Sequence, residues 1–403
     1  MATVSSTLAF GIGYSAANAG YQYGTTGFSN SSIIFGYYSA LYPYNGFIRF
    51  GPIEIPNGAT ITSAYIRFSP AGSGTGDGTC NATIKLADSD TAPVSHASFD
   101  AKTWSATTVA WNNIPKAEWT APYYDSPDIT DLIAEKVEDA GWVEGDHILL
   151  GIFDNGSETN VARYAYNSSA GIQKNPMLVI TFTANNKWYG QPKANTDMMA
   201  YHRFDPPNEA NNSFDSGVNE MPWGQSTLFA MVFWYDNGIR FPECNVPRYA
   251  QITSAELMHF STSVSYTWDV EHDIYLNDTN DAAAPTTQEG WEALVKTTAS
   301  YHNTISTDIS PWTWYTIASG FTAPIQEVII RRGWTIGNDI MMMNLCTASS
   351  SAGQYLHFEG AFNNSIVDTD TYGYSPVLKI EFTPREADYR RTKIITTKWD
   401  ANR

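Results

Sequence analysis

The sequence repeats itself at a separation of 191 to 200 residues, and this repeat limits what the chain can fold into. The tripeptide Ile48-Arg49-Phe50 recurs as Ile239-Arg240-Phe241, and the stretch 59–64 resembles 250–255. Farther along, 176–183 resembles 376–383. Because the separation stays nearly constant over more than a hundred positions, we predict two homologous domains at residues 1–183 and 184–383.

Most segments within each repeat alternate apolar and polar residues, which is typical of strands with one buried face. Residues 81–87 and 273–277 show this period of two. One segment per repeat has a helical pattern, with Thr130 or Thr322 as the N-cap and a glycine after the last turn. The pattern predicts an all-β protein made of two tandem jelly-roll β-sandwich domains, each with one short helix.

The charge balance excludes several classes of partner. The net charge is −18, which disfavours nucleic acid phosphates and anionic membrane surfaces as partners.

The sequence also shows no membrane span. No apolar run reaches the roughly 18 residues that a span needs. The N-terminus MATVSSTLAF lacks the pattern of a signal peptide, so we expect synthesis in a host cytoplasm without one. The three cysteines are widely spaced and are interpreted as small buried apolar residues.

The last segment, 384–403, has the opposite charge. It holds six basic and three acidic residues, a net charge of +3, so the rest of the chain carries −21. A basic segment on an acidic protein is interpreted as a docking arm, and a solvated disordered tail is the alternative. The candidate docking residues are Arg385, Arg390, Arg391, Lys393 and Lys398.

No catalytic constellation stands out in the sequence. Neither a nucleophile elbow nor a phosphate-binding glycine loop is present. The tripeptide Tyr201-His202-Arg203 could serve a lyase, but one tripeptide without a groove is a weak signal. We therefore predict that the protein is not an enzyme, with no catalytic residues and no cofactor other than a structural calcium.

Two loops and two aromatic groups are candidate binding sites. Oxygen-rich loops after matching strands would suit calcium, although turn chemistry explains them equally well. Their candidate ligands are Asp88, Asp90, Asp278 and Asp281. Aromatic rings could stack on sugars, with packing in the sandwich core as the alternative. The candidate rings are Tyr37, Tyr38, Tyr42, Tyr44, Trp312 and Trp314.

The first repeat resembles a known class of carbohydrate-binding-module-like jelly rolls, the DNRLRE and disaggregatase-related class. The stretches 47–50, 59–68, 104–115 and 128–133 carry the resemblance, above all the run Thr-Val-Ala-Trp-Asn-Asn-Ile-Pro. The second repeat departs from it in the middle, at 290–296. The resemblance implies the fold, and it transfers no binding residue.

These observations predict a non-enzymatic structural protein of a virion, either a bacteriophage capsid decoration protein or a fibre component. It would lie on the particle surface and contact capsid or tail proteins and copies of itself as a homo-oligomer. Weak binding to host glycans is compatible with this role. The alternative is a carbohydrate-binding module of a secreted or cell-surface protein.

Overall fold

The computed structural model is nearly all β, with 50% of the residues in strands. It describes residues 2–12, 15–39, 42–72, 74–117, 119, 123–167, 174–204, 211–217, 220–228, 231–261, 269–305, 313–349, 354–359 and 374–384. The antiparallel sheets pack as sandwiches, which confirms the predicted fold class.

The first repeat contains twelve strands among its described residues. They are β1 (Thr3–Gly11), β2 (Ala19–Tyr23), β3 (Gly27–Ser29), β4 (Ile33–Ser39), β5 (Tyr42–Phe50), β6 (Thr60–Phe68), β7 (Ala82–Ala87), β8 (Trp104–Trp111), β9 (Tyr124–Asp125), β10 (Ile148–Asp154), β11 (Val161–Ala165) and β12 (Met177–Asn185). Two short helices interrupt them, α1 (His96–Asp100) and α2 (Thr130–Val137).

The second repeat has the same plan, strand for strand. Its strands are β13 (Lys187–Gly190), β14 (Met198–Phe204), β15 (Ser213–Ser216), β16 (Glu220–Leu228), β17 (Met231–Cys244), β18 (Gln251–Phe260), β19 (Val270–Leu276), β20 (Tyr301–Ile305), β21 (Trp314–Ser319), β22 (Asn338–Ser349), β23 (Gln354–Glu359) and β24 (Val377–Thr383). Its helices are α3 (Gln288–Glu292) and α4 (Thr322–Ile329).

The order of strands in the sheets is that of a jelly roll. The smaller sheet of the first repeat runs β1-β12-β6-β9, and the larger sheet contains the run β5-β10-β7-β8. When these eight strands are counted in chain order, they read 1-8-3-6 and 2-7-4-5, which is the double Greek key of a jelly roll. The second repeat gives β13-β24-β18-β21 and β17-β22-β19-β20, the same order shifted by twelve strands.

The contacts among the described residues divide them into two compact units. One unit contains residues 7–183, and the other contains residues 2–6 together with the described residues from 184 to 364 and from 374 onward. The sequence placed residues 1–6 with the first repeat, whereas the structure gives residues 2–6 to the second. Val4 shows why, since it is buried in the same core as Trp188 and Phe382.

The predicted helices are present, but their caps differ from the prediction. Thr130 and Thr322 are the first helical residues, while Ile129 and Phe321 occupy the cap positions. The Asp128 carboxylate accepts from the Thr130 backbone N–H at 2.9 Å, so it supplies the acceptor expected of the threonine. The sequence analysis missed α1 and α3, because five residues are too few to show a helical period.

Aromatic rings fill the interior of the first sandwich. The Phe35 ring lies 5.4 Å from Trp111, 5.6 Å from Trp119 and 6.3 Å from Phe68, measured between ring centroids. The three cysteines are free and buried, as the sequence predicted. Burial raises the pKa of Cys80 to about 11 and that of Cys244 to about 12, so both are inert thiols at neutral pH.

Candidate functional site

Five tyrosines form a cluster in the first unit, which we call the tyrosine cluster. It consists of Tyr21 and Tyr23 on β2, Tyr38 on β4, Tyr44 on β5 and Tyr164 on β11. Strand pairing brings them together, because Tyr23 lies opposite Tyr44 and Gly36 of β4 pairs with Tyr44 as well. Three strands that are close in sequence, β2, β4 and β5, and the distant strand β11 therefore contribute to one group of rings.

The rings of the tyrosine cluster contact one another directly. Tyr23 and Tyr44 are stacked, with centroids 4.8 Å apart and an interplanar angle of 5°. Tyr21 lies 5.5 Å from Tyr44, and Tyr38 meets Tyr44 edge-on at 5.3 Å. Tyr38 also meets Tyr164 edge-on at 5.7 Å. Such pairs stabilise each other beyond their buried area, so the cluster is a preformed surface.

Solvent reaches the tyrosine cluster at one side. Tyr38 is 43% exposed, Tyr44 is buried, and the other three rings are half-buried. Tyr42 is 42% exposed and packs close to Gly24, where an added Cβ would lie 3.4 Å from its ring. Exposed tyrosine rings beside a buried aromatic base are the surface that can stack on a sugar ring.

Burial and crowding raise the pKa of two tyrosines in the cluster. Burial, followed by the neighbouring Tyr23, Tyr21 and Tyr38, raises the pKa of Tyr44. Burial and the adjacent Tyr38 likewise raise the pKa of Tyr164. The hydroxyls of Tyr44 and Tyr164 therefore stay neutral hydrogen-bonding groups across the physiological range.

The structure brings some of the predicted rings together and separates others. Tyr38 and Tyr44 belong to the tyrosine cluster, whereas Tyr37 is half-buried and pairs with Val161. Trp314 is half-buried, with its ring 5.7 Å from Phe260 in the second unit. Trp312 lies outside the described residues.

The sequence analysis missed Tyr21, Tyr23 and Tyr164. A signal for the first two exists, because the spacing Tyr-Gln-Tyr places both rings on one face of a strand. The second unit does not keep the cluster: His202 lies opposite Tyr235 where the first unit has Tyr23 opposite Tyr44. Among the described residues, the cluster is therefore found in the first repeat only.

The four aspartates of the predicted calcium loops contact cationic side chains and backbone groups. Arg331 forms an ion pair with Asp278, and Arg49 Nε donates to the Asp90 backbone oxygen at 2.6 Å. Asp281 accepts from the Asp339 backbone N–H at 2.8 Å, and Lys136 reaches the Asp88 backbone oxygen at 3.2 Å. Within the described ranges, no group of three or more His, Cys, Asp or Glu side chains could hold a metal ion. Calcium binding stays a prediction.

The tripeptide Tyr201-His202-Arg203 does not converge on one site. Tyr201 Oη donates to Glu292 at 2.8 Å, and Arg203 Nε lies 3.0 Å from the buried Asp236 carboxylate. His202 instead packs edge-on against Tyr235 at 4.9 Å. Each side chain has a structural partner of its own.

The docking residues from Arg385 onward lie outside the described part of the chain. No helix of the described residues is long and apolar enough to cross a bilayer.

Comparisons with known proteins add little to the geometry. No protein-family model matches the chain, and no curated protein matches it. Among solved structures, one similar chain is from a structure of infectious bursal disease virus, Gt strain, at 10% sequence identity. The alignment covers 94% of this chain and 75% of that one with a TM-score of 0.19, too low to support an argument.

Proposed function

We propose that this chain is a non-enzymatic structural protein on the surface of a virus particle, such as a phage decoration or fibre component. The observation that carries the proposal is the duplication of one jelly-roll plan within a single chain. Jelly rolls are double-sheet β-sandwiches that build many viral capsids. The acidic bulk of the chain, at −21, and the basic segment 384–403, at +3, support an exposed protein held by a cationic arm.

The basic segment gives this proposal its test. Removal of 385–403 is expected to abolish incorporation of the protein into particles, as judged by immunogold labelling and by co-sedimentation with purified virions. The melting curve is expected to stay unchanged, because the deletion keeps every described strand up to β24, which ends at Thr383. Equal incorporation of full-length and truncated chains would refute the anchoring role, and gold confined to cell surfaces would refute the virion location.

A second function, glycan binding, is favoured by the tyrosine cluster. Its stacked and edge-on rings are fixed before any ligand arrives, which lowers the entropy cost of binding. Exposed Tyr38 and Tyr42 offer ring faces to a pyranose. A protein on a particle surface could use such a site to contact host glycans, so the two functions are compatible.

The glycan proposal is tested on a polysaccharide array. Tyr38→Ala and Tyr42→Ala are each expected to reduce retention on any glycan that binds by about tenfold, which corresponds to about 1.4 kcal/mol. Val94→Ala is the control, since it removes an exposed apolar side chain outside the cluster. An array with no retained glycan, or equal losses in the control, would refute the proposal.

A further inference from the structure

A strained residue marks one corner of the second unit. Tyr249 has a φ of 63°, in the left-handed region that bulky residues avoid. The matching residue of the first repeat is Gly58, with a φ of 75°. Both are the third residue of the same turn, in which the Ala59 N–H donates to the Pro56 oxygen and the Ala250 N–H donates to the Pro247 oxygen, each at 3.1 Å. The second repeat therefore holds a large aromatic ring where the backbone favours glycine.

Arg248, just before Tyr249, has also changed its role relative to the first repeat. Its counterpart Asn57 donates to the Asp139 backbone oxygen at 2.9 Å, closing the loop onto the end of α2. Arg248 instead covers the Tyr249 ring, with its guanidinium carbon 4.1 Å from the ring centroid and a hydrogen bond to the tyrosine hydroxyl. The Arg248 Nε is buried and has no partner among the described residues. The pair is therefore preformed.

The residues that follow α4 also differ from their counterparts in the first repeat, with cationic side chains in place of acidic ones. The Tyr249 N–H donates to the Ile329 backbone oxygen at 3.3 Å, so this corner includes Ile330, Arg331 and Arg332. The matching residues of the first repeat are Glu138, Asp139 and Ala140. Arg331 is neutralised by Asp278, which leaves it a structural role. Arg332 is exposed and forms no ion pair with any described residue, and Ile330 is 47% exposed.

We propose that Arg248, Tyr249, Ile330 and Arg332 form a binding site for an anionic polysaccharide, with the sugar ring against Tyr249 and Ile330 and its carboxylate or sulfate groups on the two arginines. Fork-shaped guanidinium groups suit such anions, and an aromatic ring beside them suits a pyranose face. The chain has a net charge of −18, yet this corner combines two cationic side chains with an apolar surface. The same corner of the first repeat lacks this combination. Strain kept at an exposed position is typical of functional sites. The inference goes beyond the tyrosine cluster and does not depend on it.

The test uses the full-length protein with defined polymers. Affinity electrophoresis would compare alginate and dextran sulfate with neutral dextran, and retention is expected on the two anionic polymers only. Tyr249→Gly and Arg248→Asn, which copy the first repeat, and Arg332→Ala are each expected to weaken retention about tenfold. Higher salt should weaken it as well, since exposed charges are screened. Lys296→Ala is the matched control, because Lys296 lies 4.8 Å from the Tyr275 ring elsewhere on the same unit.

Stability separates loss of binding from loss of folding. Tyr249→Gly is expected to keep or raise the melting temperature, since glycine adopts this φ without strain. Weakened retention with an unchanged melting temperature, while Tyr38→Ala and Lys296→Ala bind normally, would support the site. Three results would overturn it: no retention on either anionic polymer, equal losses in the control, or an effect of Tyr249→Gly on self-association alone.

Discussion

At the scale of single residues, two histidines lie in the core of the second sandwich. His259 on β18 and His272 on β19 are almost completely buried, and burial lowers the pKa of each to about 3, with a further contribution from the neighbouring histidine. His302, which lowers the pKa of His272, is itself paired with Asp273 at 2.9 Å. Both buried rings are therefore neutral in the folded protein at physiological pH.

These histidines predict that acid destabilises the second unit. An unfolded histidine binds its proton near pH 6.5, whereas the folded ones bind it near pH 3, so the unfolded state holds more protons between these values. The free energy of unfolding should fall as the pH drops from 6.5 toward 3, by about 1.4 kcal/mol per pH unit for each histidine. Urea unfolding at pH 7 and pH 5 measures this, and the loss should approach about 4 kcal/mol.

Substitution of one buried histidine can show how much of the pH dependence of stability that residue causes. His272→Asn should flatten the pH dependence by about half, whereas Val94→Ala, at an exposed position without a titrating side chain, should leave it unchanged. Equal stability at pH 7 and pH 5 would show that the two rings are not buried as neutral groups.

At the scale of elements, helix α1 is held by its capping residues rather than by its length. The Ser95 side chain accepts from the Ser98 backbone N–H, and the Ser98 hydroxyl accepts from the Ser95 backbone N–H at 2.9 Å, which forms a capping box. In α3 the Thr287 hydroxyl accepts from the Gly290 backbone N–H at 3.1 Å. An isolated helix of five residues is unstable in water, so these bonds decide whether each turn forms.

Two substitutions test how much the helix caps contribute to the free energy of unfolding. Ser95→Ala and Thr287→Ala should each lower the free energy of unfolding by about 1 kcal/mol, measured by urea denaturation. Ser89→Ala, in the loop before α1, serves as the control because its hydroxyl accepts from the Thr91 backbone N–H and from the Lys102 ammonium and takes no part in either cap. A control loss as large as that of Ser95→Ala would show that the box contributes nothing.

The elements also show what the sequence could reveal. The period of two located strands such as β7 and β19, because each buries one face of a sheet. The repeat predicted one plan for both halves, and the structure has it strand for strand. The sequence predicted only part of the tyrosine cluster. Tyr164 belongs to it because β11 pairs with β4, and this pairing connects residues over a hundred positions apart. The sequence does not predict the strained backbone at Tyr249, because only the φ angle reveals it.

At the scale of the whole molecule, the start of the chain completes the second unit. The Ala2 backbone N–H donates to Asn186 Oδ1 at 2.9 Å, and the Asn186 backbone N–H donates back to the Ala2 oxygen at 2.8 Å. Ser6 accepts from the Tyr189 backbone N–H at 3.0 Å, and Val4 is buried between these contacts. The second unit therefore includes the first half of β1, a strand that belongs to the first repeat by its position in the chain.

This dependence predicts a long-range effect of a short truncation. Removing residues 1–6 takes away the buried Val4 side chain and several hydrogen bonds, which should destabilise the second unit by about 2–4 kcal/mol. Hydrogen exchange followed by mass spectrometry should show faster exchange in β13 and β18, which belong to that unit, while β7 and β10 of the first unit stay protected. Val4→Ala should give a smaller effect of the same pattern, and Val94→Ala, at an exposed position, should give none. Faster exchange confined to the first unit would contradict this prediction, because residues 2–6 would then stabilise the first unit and not the second.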